Sequence, residues 1–534
     1  MEQCQFTGTT SIGLALLLVA LTFAIWPANQ KTPPMLRETI PFLSNTYQYA
    51  ANMDRFFSRA SQALSQKNIV GFYLGGKKAF FITGPQNIQT FFRSSPSIGF
   101  QTFVLYSIKH MMGATPDDVA KFANDNSGRL PTPLPGAEDT PEDKRYWAAM
   151  HHIMHKYLSQ THYANALADT YQRFFAEELD AHFTLGEWTE TRVIPMMKQH
   201  MAKAAIRSLQ GDRIFEVAPN LLDLFWDYDK VLGTILFGPP KWLFRGVYAK
   251  AERFCAATGK YFQDAAASFD WNGPDSEADW EPVFGSRFWR EFSRWMIRSE
   301  FSPRTCAGFT GVTGIVAMNA NTIPVAIWAI IEMTKDPSLL AALRREVEPT
   351  YVTDPTTGRR SIDLQALVAL PLLQSVYTEV MRMRISVNVT REVLQPLEVE
   401  GYTLAPGTLL QAPSELSHFK ESVWGVEGHP AREFWVDRHI KYVDGVATFE
   451  VRGRPTDFFP YGGGIPMCPG RHFAKQEIML TIALLASKYE FEFVEWVQMD
   501  GKPSNRPPRS DPKYKGAAGV PPDVDMKVRM KRVR

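Results

Sequence analysis

The chain has 534 residues, of which 21% are charged, and its formal net charge is only +2. This balance excludes a general electrostatic attraction to nucleic acid, and the length supports a large hydrophobic core. The four cysteines, Cys4, Cys255, Cys306 and Cys468, lie far apart and fit neither a disulfide framework nor a zinc site, which favours a reducing compartment. Aromatic residues make up 13% of the chain and suit a wide apolar interior that holds a lipophilic guest.

The N-terminal segment, residues 1–30, is predicted to be a membrane anchor. It has no charged side chain from Gln3 to Gln30, and its length matches the hydrocarbon core of a bilayer. A cleaved signal peptide usually begins with positive charge, whereas only Glu2 precedes this segment; a buried core helix is the other alternative. Because Lys31 and Arg37 follow it, the positive-inside rule places the rest of the chain in the cytosol.

After a proline-containing linker, residues 31–45, the remainder is predicted to form one domain, residues 46–534, that is mainly α with small β-sheets. The pattern predicts a hairpin around Gly75-Gly76 within 68–83, helices over 85–93, 142–158, 163–183, 221–269 with a break at 238–240, 305–334, 339–347 and 364–384, and strands within 392–411. Residues 101–140 are expected to form a long loop region. Apolar and basic residues alternate over 524–533, which predicts an exposed strand rather than a tail that binds nucleic acid.

Cys468 carries the strongest functional signal in the chain. It follows the triple glycine Gly462–Gly464, is flanked by Pro466 and Pro469, and precedes a predicted helix over 472–487. Glycines allow the backbone to approach a flat cofactor closely, and the start of the helix favours an ionised thiol. A thiolate is one of the protein ligands of haem iron. From the residues alone, the alternative is a buried and inert thiol.

This loop resembles the haem-binding loop of the cytochrome P450 superfamily, in which an aromatic residue, a glycine, a cysteine and a second glycine stand at fixed spacing. Tyr461, Gly464, Cys468 and Gly470 occupy these positions. Tyr461 replaces the usual phenylalanine, and Pro466 replaces a basic residue that often contacts a haem propionate. The resemblance implies the cytochrome P450 fold, haem b as cofactor, Cys468 as the axial ligand of the haem iron, and Tyr461, Gly462, Gly464 and Gly470 as cofactor-binding residues.

Glu379 and Arg382 stand three residues apart in a predicted helix and can pair on one face. Most such pairs lie on the surface and contribute less than about 1 kcal/mol. The family resemblance instead implies a Glu-x-x-Arg pair that supports the haem loop, completed by an arginine from a second loop. Arg438, in the run 434–439, matches that arginine.

The resemblance also implies partners for the haem propionates. Arg391 lies where related enzymes often place a cation, and Trp147 and His151 resemble a Trp-x-x-x-Arg pair of the family's early helix, with histidine in place of arginine. His151 or its neighbour His152 is therefore expected to donate to a propionate. An ordinary histidine on a helix surface remains the alternative.

By the same resemblance, the helix from Thr305 passes over the distal face of the haem. Related enzymes carry an acid and a threonine there, whereas this chain has Ala320 and Asn321, followed by Thr322 and Pro324. Asn321 and Thr322 are the predicted catalytic residues, and a structural cap at the Pro324 break is the alternative role of Asn321. The run resembles the subgroup that contains cholesterol 7α-hydroxylase, sterol 12α-hydroxylase and prostacyclin synthase.

Together these resemblances imply a membrane-anchored haem-thiolate monooxygenase of the endoplasmic reticulum, with its catalytic domain in the cytosol. Its electrons are expected from NADPH through a separate NADPH–cytochrome P450 reductase, with cytochrome b5 as a second candidate partner, because the chain has no flavin or nucleotide fingerprint. The expected substrate is a bulky lipophile of steroid, terpenoid or meroterpenoid type, in fungal-like secondary metabolism. A redox-neutral isomerase or dehydratase of the prostacyclin synthase type is the main alternative, and a haem-binding sensor without turnover is the third.

Overall fold

The computed structural model describes residues 32–93 and 97–534, so the predicted anchor lies outside the described residues. Helices predominate, as the sequence predicts, and the strands form small sheets. The helices are Ser44–Ala51, Met53–Leu64, Pro85–Phe92, Gln101–His110, Pro116–Asn124, Tyr146–Ser159, Thr161–His182, Val193–Gln210, Arg213–Val217, Leu221–Leu236, Arg245–Ser268, Arg287–Arg298, Pro303–Gly311, Ala317–Lys335, Pro337–Val347, Leu364–Ala369, Pro371–Arg384, Ser414–His418, Glu421–Trp424 and Arg471–Lys488.

The largest sheet begins with the predicted hairpin, whose strands are Ile69–Leu74 and Lys77–Ile82. Gly75 and Gly76 form its turn with φ angles of 57° and 81°, the left-handed conformations that a two-residue turn of this type requires. The sheet continues through Leu409–Pro413, Ile385–Val393 and Ala517–Gly519, and Ile98–Gly99 also pairs with Ile385–Val393. Residues 34–36, in the predicted linker, are hydrogen-bonded to Gly71 of this sheet.

A second sheet has Asp525–Arg532 as its central strand, between Tyr489–Val497 and Trp188–Arg192. The strand predicted over 524–533 is therefore confirmed, but the prediction that it is exposed is wrong. Its apolar side chains Met526, Val528 and Met530 are fully buried in the core, and its basic side chains pair with acids of the neighbouring strands, Lys527 with Glu190, Arg529 with Glu492 and Lys531 with Glu490. Four smaller ribbons pair Leu397–Val399 with Tyr402–Leu404, Ile440–Val443 with Val446–Phe449, Trp280–Glu281 with Gly285–Ser286, and Tyr351–Thr353 with Arg360–Ile362.

The expected loop over 101–140 contains two helices, Gln101–His110 and Pro116–Asn124. Thr115 caps the second helix by accepting a hydrogen bond from the Asp118 amide, and Pro116 occupies the first helical position, where its missing N–H has no cost. Phe122 anchors this helix in the core. Each helix is too short for the apolar period to show above the surrounding glycines and prolines.

The centre of the molecule is occupied by the central helix, Ala317–Lys335, which continues Pro303–Gly311 through a π-helical turn, Val312–Val316. Pro324 lies inside this helix without ending it, so the irregular turn comes earlier than the sequence suggests. Among the described residues, 303–335 is the one helical run apolar and long enough to cross a membrane, and most of it is buried inside the protein. It is therefore a core helix.

Candidate active site

Three charged side chains, Glu379, Arg382 and Arg438, form one group that we call the supporting cluster. Arg382 donates two hydrogen bonds of 2.8 Å to the two oxygens of Glu379, and Arg438 donates one of 2.9 Å to the same carboxylate; all three side chains are fully buried. Burial would raise the pKa of Glu379, but hydrogen bonds from Arg382 and His439 outweigh it and lower that pKa to about 2. The carboxylate is therefore ionised and satisfied, and it joins the helix Pro371–Arg384 to the turn Val436–His439.

His418 connects the supporting cluster to the cysteine loop, Phe459–Gly470. Its Nδ1 lies 3.1 Å from the Arg382 carbonyl oxygen, and the Phe459 amide donates to its Nε2 over 3.2 Å. Burial, together with the charge of Arg382, lowers the pKa of His418 to about 3. The ring is therefore neutral, with Nδ1–H as donor and Nε2 as acceptor, and the first residue of the cysteine loop is held in place.

The glycines of the cysteine loop allow close contacts that a side chain would prevent. Gly462 and Gly464 have φ angles of 70° and 73°. A Cβ at Gly463 would lie 2.6 Å from the Phe92 ring, and one at Gly464 would lie 2.2 Å from the Phe92 carbonyl oxygen. The Cys468 amide then donates to the Tyr461 carbonyl oxygen over 3.1 Å and closes the loop. The sequence folds this way because glycine alone tolerates both the angles and the contacts.

Cys468 presents an open surface although many protein atoms surround it, so its sulfur borders a space within the protein. Burial raises the pKa of the thiol, whereas hydrogen bonds from the Gly470 and Arg471 amides and the charge of Arg471 act in the opposite direction. These amides belong to the start of the helix Arg471–Lys488. They are the donors that stabilise a thiolate once a positive centre is present.

Two arginines, Arg129 and Arg391, come together without an acid. The Arg391 Nη2 donates to the Gly463 carbonyl oxygen over 2.8 Å. The Nε of Arg391 and both the Nε and Nη1 of Arg129 are buried and have no hydrogen-bond partner within residues 32–93 and 97–534. Burial and the charge of Arg391 lower the pKa of Arg129 to about 10. Buried guanidinium N–H groups need hydrogen-bond acceptors, and an anion bound beside the cysteine loop would supply them.

One face of the central helix and its π-helical turn is open. Thr313, Ala317, Ala320 and Asn321, which recur at helical spacing, keep exposed surface, whereas most of their neighbours are buried. The Asn321 Oδ1 accepts a hydrogen bond of 3.1 Å from the Gly519 amide. That contact fixes the amide so that its NH₂ is the free end.

The strand Ile385–Val393 brings these parts together. Its Val387 pairs with Ala517, two residues from the Gly519 that holds Asn321. Val389 lies beside Gly462, and Arg391 bonds Gly463. The open helix face and the cysteine loop therefore lie along one strand and border a common interior.

Comparisons with known proteins agree with this arrangement. A sequence model of the family described as Cytochrome P450 matches residues 315–509. The cytochrome P450 monooxygenase calL of Penicillium decumbens is 42% identical over 535 residues, which cover 98% of this chain and 99% of the relative. The chain belongs to the cytochrome P450 family. By this membership it is an enzyme of the cytochrome P450 monooxygenase class, with haem as the implied cofactor and with the redox partner and lipophilic substrate that the family implies.

More distant relatives of this P450 extend the comparison. The monooxygenase fsoE of Humicola fuscoatra is 25% identical over 95% of this chain and 88% of the relative, and rat cytochrome P450 7A1 is 28% identical over 40% of this chain and 43% of the relative. Among solved structures, a retinoic acid-bound cyanobacterial CYP120A1 matches with a TM-score of 0.64 and 14% identity, covering 94% of this chain and 99% of the other. The likeness to this solved structure establishes the P450 fold.

The residues of this P450 fit a haem. Cys468 offers a thiol with an open surface beside amide donors. The unpartnered N–H groups of Arg129 and Arg391 match the carboxylates of two propionates, and their positive charges have no acid to balance them. Because Pro466 stands where related enzymes often have a basic residue, a propionate needs its positive charge from another position. The structure offers Arg129 for this role, a residue that sequence reasoning missed.

Three predicted residues take other positions in the P450 structure. Trp147 does not join the arginines: its indole N–H donates to the Phe122 carbonyl oxygen over 2.9 Å, and its ring packs in the core. His151 lies near Arg129 and bonds the Ile465 backbone, and burial lowers its pKa to about 4, so it is neutral. The Thr322 hydroxyl is buried and donates to the Met318 carbonyl oxygen over 2.7 Å, away from the open face. Trp147 and Thr322 thus have other hydrogen-bond partners in this structure, and the cofactor contact of Trp147 and the catalytic role of Thr322 stay predictions.

Proposed function

We propose that this P450 inserts an oxygen atom from O₂ into a bulky lipophilic substrate, with haem b held by Cys468. The observation that carries the proposal is the open sulfur of Cys468, set between a fully paired supporting cluster and two unpaired arginines. A thiolate-bound haem supplies the activation of dioxygen and the oxygen transfer of this family. All other contributions come from the chain.

Each group of the chain has a separate task in the proposal. The supporting cluster and His418 hold the cysteine loop, and the Gly470 and Arg471 amides stabilise the negative charge on the sulfur. Arg129 and Arg391 bind the propionates. The Asn321 NH₂ donates a hydrogen bond into the open space, where it orients a water molecule or an oxygen of the substrate.

The substrate, the electron supply and the location are further parts of the proposal. We infer a steroid, terpenoid or meroterpenoid substrate in secondary metabolism, supported by the fungal relatives and by the apolar interior. Electrons come from NADPH through NADPH–cytochrome P450 reductase, with cytochrome b5 as a second donor. Residues 1–30 anchor the enzyme in the endoplasmic reticulum membrane, residues 31–45 join the anchor to the globule, and residues 46–534 form the catalytic domain in the cytosol.

The thiolate assignment is tested by the spectrum of the reduced, carbon-monoxide-bound protein. Cys468→Ala is expected to abolish the thiolate-type band, whereas Cys306→Ala, at a buried cysteine, is expected to retain it. A retained band in Cys468→Ala would refute the ligand assignment. Product analysis by mass spectrometry with purified enzyme, reductase, NADPH and candidate lipids then tests oxygen insertion.

A redox-neutral rearrangement is the second candidate. The open helix face favours it in one respect: Ala317, Ala320 and Asn321 provide no acid there, so the usual side chain for proton delivery is missing. A requirement for both NADPH and reductase would exclude this candidate. Turnover of a peroxide substrate without them would establish it.

A further inference from the structure

Glu477, nine residues after Cys468, is a fully buried acid with no apparent partner. Its side chain has no exposed surface, and in the part of the chain that the structure describes neither carboxyl oxygen has a hydrogen-bond partner. In the described chain no lysine, arginine or histidine forms an ion pair with it. An ionised carboxylate in such a place is strongly disfavoured, because nothing replaces its lost hydration.

The titratable groups that face Glu477 are tyrosines. Tyr171, from the helix Thr161–His182, and Tyr461, from the cysteine loop, both lie close enough for the charge of Glu477 to raise their pKa values. Tyr171 shares a hydrogen bond of 2.6 Å with Thr481, and Tyr461 shares one of 2.6 Å with Tyr377. No positive charge therefore opposes the effect of burial, which raises the pKa of Glu477 well above its usual value.

On the central helix, the Thr322 hydroxyl lies within interaction range of the Glu477 carboxyl group. Its single proton is donated to the Met318 carbonyl oxygen over 2.7 Å, so only its lone pairs remain free. A carboxylate cannot use lone pairs, since it has no proton to donate. A protonated carboxyl has one O–H group and can donate it to this oxygen.

The turn at Thr322 needs such support. Pro324 has no N–H to give to the Ala320 carbonyl, so one helical hydrogen bond is missing beside Asn321. Side chains hold this turn instead: Thr322 bonds Met318, and Asn321 bonds Gly519.

We propose that Glu477 is a positioning residue that stays protonated at neutral pH and donates a hydrogen bond to Thr322, which fixes the turn that carries Asn321. The effect on turnover rests on the proposed function, whereas the protonation and the rigidity of the turn do not. The experiments therefore use the haem-loaded full chain without substrate, and a failure of the proposed oxygen insertion leaves them interpretable.

The first experiment is infrared spectroscopy at pH 7. Wild type is expected to show the C=O stretching band of a protonated carboxyl, and Glu477→Gln is expected to lose it. Glu332→Gln is the matched control, because Glu332 lies on the central helix and pairs with Lys335 at 2.7 Å. A spectrum that Glu477→Gln leaves unchanged in this region would mean that Glu477 is ionised, and the proposal would fall.

The second experiment is hydrogen exchange of the peptide that covers residues 317–323. Glu477→Leu replaces the carboxyl group with an apolar side chain of similar length and so removes the donor. Exchange in this peptide is expected to rise about fivefold, the effect of one lost hydrogen bond. Glu477→Gln keeps a donor and is expected to exchange as wild type does. Equal exchange in all three proteins would overturn the positioning role, and a peptide from the helix Arg287–Arg298 serves as internal control.

Discussion

Two pairs of arginines in this P450 differ in how their guanidinium nitrogens are used. Arg382 and Arg438 bond Glu379 and several backbone carbonyl oxygens. In Arg129 and Arg391, three buried nitrogens have no hydrogen-bond partner among the described residues. The hydrogen bonds of Arg382 and Arg438 are therefore satisfied by the folded protein itself. Those of Arg129 and Arg391 are satisfied only when an anion binds, so the first pair serves the fold and the second serves a ligand.

The largest effect is expected from removing Arg382 from the supporting cluster. Arg382→Ala leaves Glu379 buried and ionised without its bidentate partner, so the free energy of unfolding should fall by about 3–5 kcal/mol and haem should be lost. Chemical denaturation and haem content measure both. Arg529→Ala, which removes a half-exposed partner of Glu492, is the control and should change stability by less than about 1 kcal/mol. Normal haem content in Arg382→Ala would contradict the role of the cluster.

Replacing Arg129 or Arg391 should not lower the free energy of unfolding of the apoprotein, but it should weaken haem binding. Arg129→Leu and Arg391→Leu each remove a buried, unbalanced charge, so the apoprotein should be as stable as wild type or gain about 1 kcal/mol. Haem affinity should fall about tenfold or more, because a propionate loses a charged donor. Denaturation of the apoprotein and titration with haemin measure the two quantities. An apoprotein that Arg391→Leu destabilises, with unchanged haem affinity, would show that these arginines are structural.

On the open helix face, Asn321→Asp keeps the oxygen that accepts from Gly519 and removes the NH₂ donor. Turnover should fall about tenfold, the loss expected for one hydrogen bond made to a reacting group, while haem content stays unchanged. Asn321→Ala, which loses both contacts, should fall at least as far. The measurement is the rate of product formation per haem-loaded enzyme in the reconstituted system. If Asn321→Asp turns over as wild type does, the amide is a structural contact only.

The last expected effect is a pH dependence of stability that is spread over several pH units. Because the pKa of Glu477 is raised in the folded protein, the folded state binds a proton that the unfolded state releases above about pH 4.3, so this group lowers stability as pH rises. Glu477→Gln removes that loss, and its stability relative to wild type should increase from pH 5 to pH 8 by at most about 1.4 kcal/mol per pH unit. Glu379 has the opposite sign: its pKa of about 2 adds stability above the unfolded pKa that is lost as pH falls through about 2. Denaturation midpoints from pH 5 to pH 8 test the sign for Glu477, and midpoints from about pH 4.3 down to about pH 2 test the sign for Glu379.

The sequence predicts the parts of the site that depend on local spacing. Gly75-Gly76 indicates the hairpin, the spacing of Glu379 and Arg382 indicates their contact, and the glycines before Cys468 indicate a backbone under close approach. Arg129 could not be found in this way, because it stands in a segment without helical period, and only the fold brings it to Arg391.

Other features are visible in the sequence only in retrospect. Glu477 directly precedes the largely apolar run 478–486, which indicates a buried helix but does not identify a partner for the acid. The burial of Trp147 and the inward turn of Thr322 depend on neighbours from distant segments, Phe122 and the helix Arg471–Lys488, so periodicity alone could not assign them.

The strand Ile385–Val393 has a consequence for engineering this enzyme. One end of it sets the edge beside Asn321, and the other end holds the glycines next to Cys468 through Val389 and Arg391. A library that randomises this strand to change regioselectivity will therefore also change how well the protein retains its coloured cofactor. Screening colonies for colour before product should discard the variants in which both have been altered.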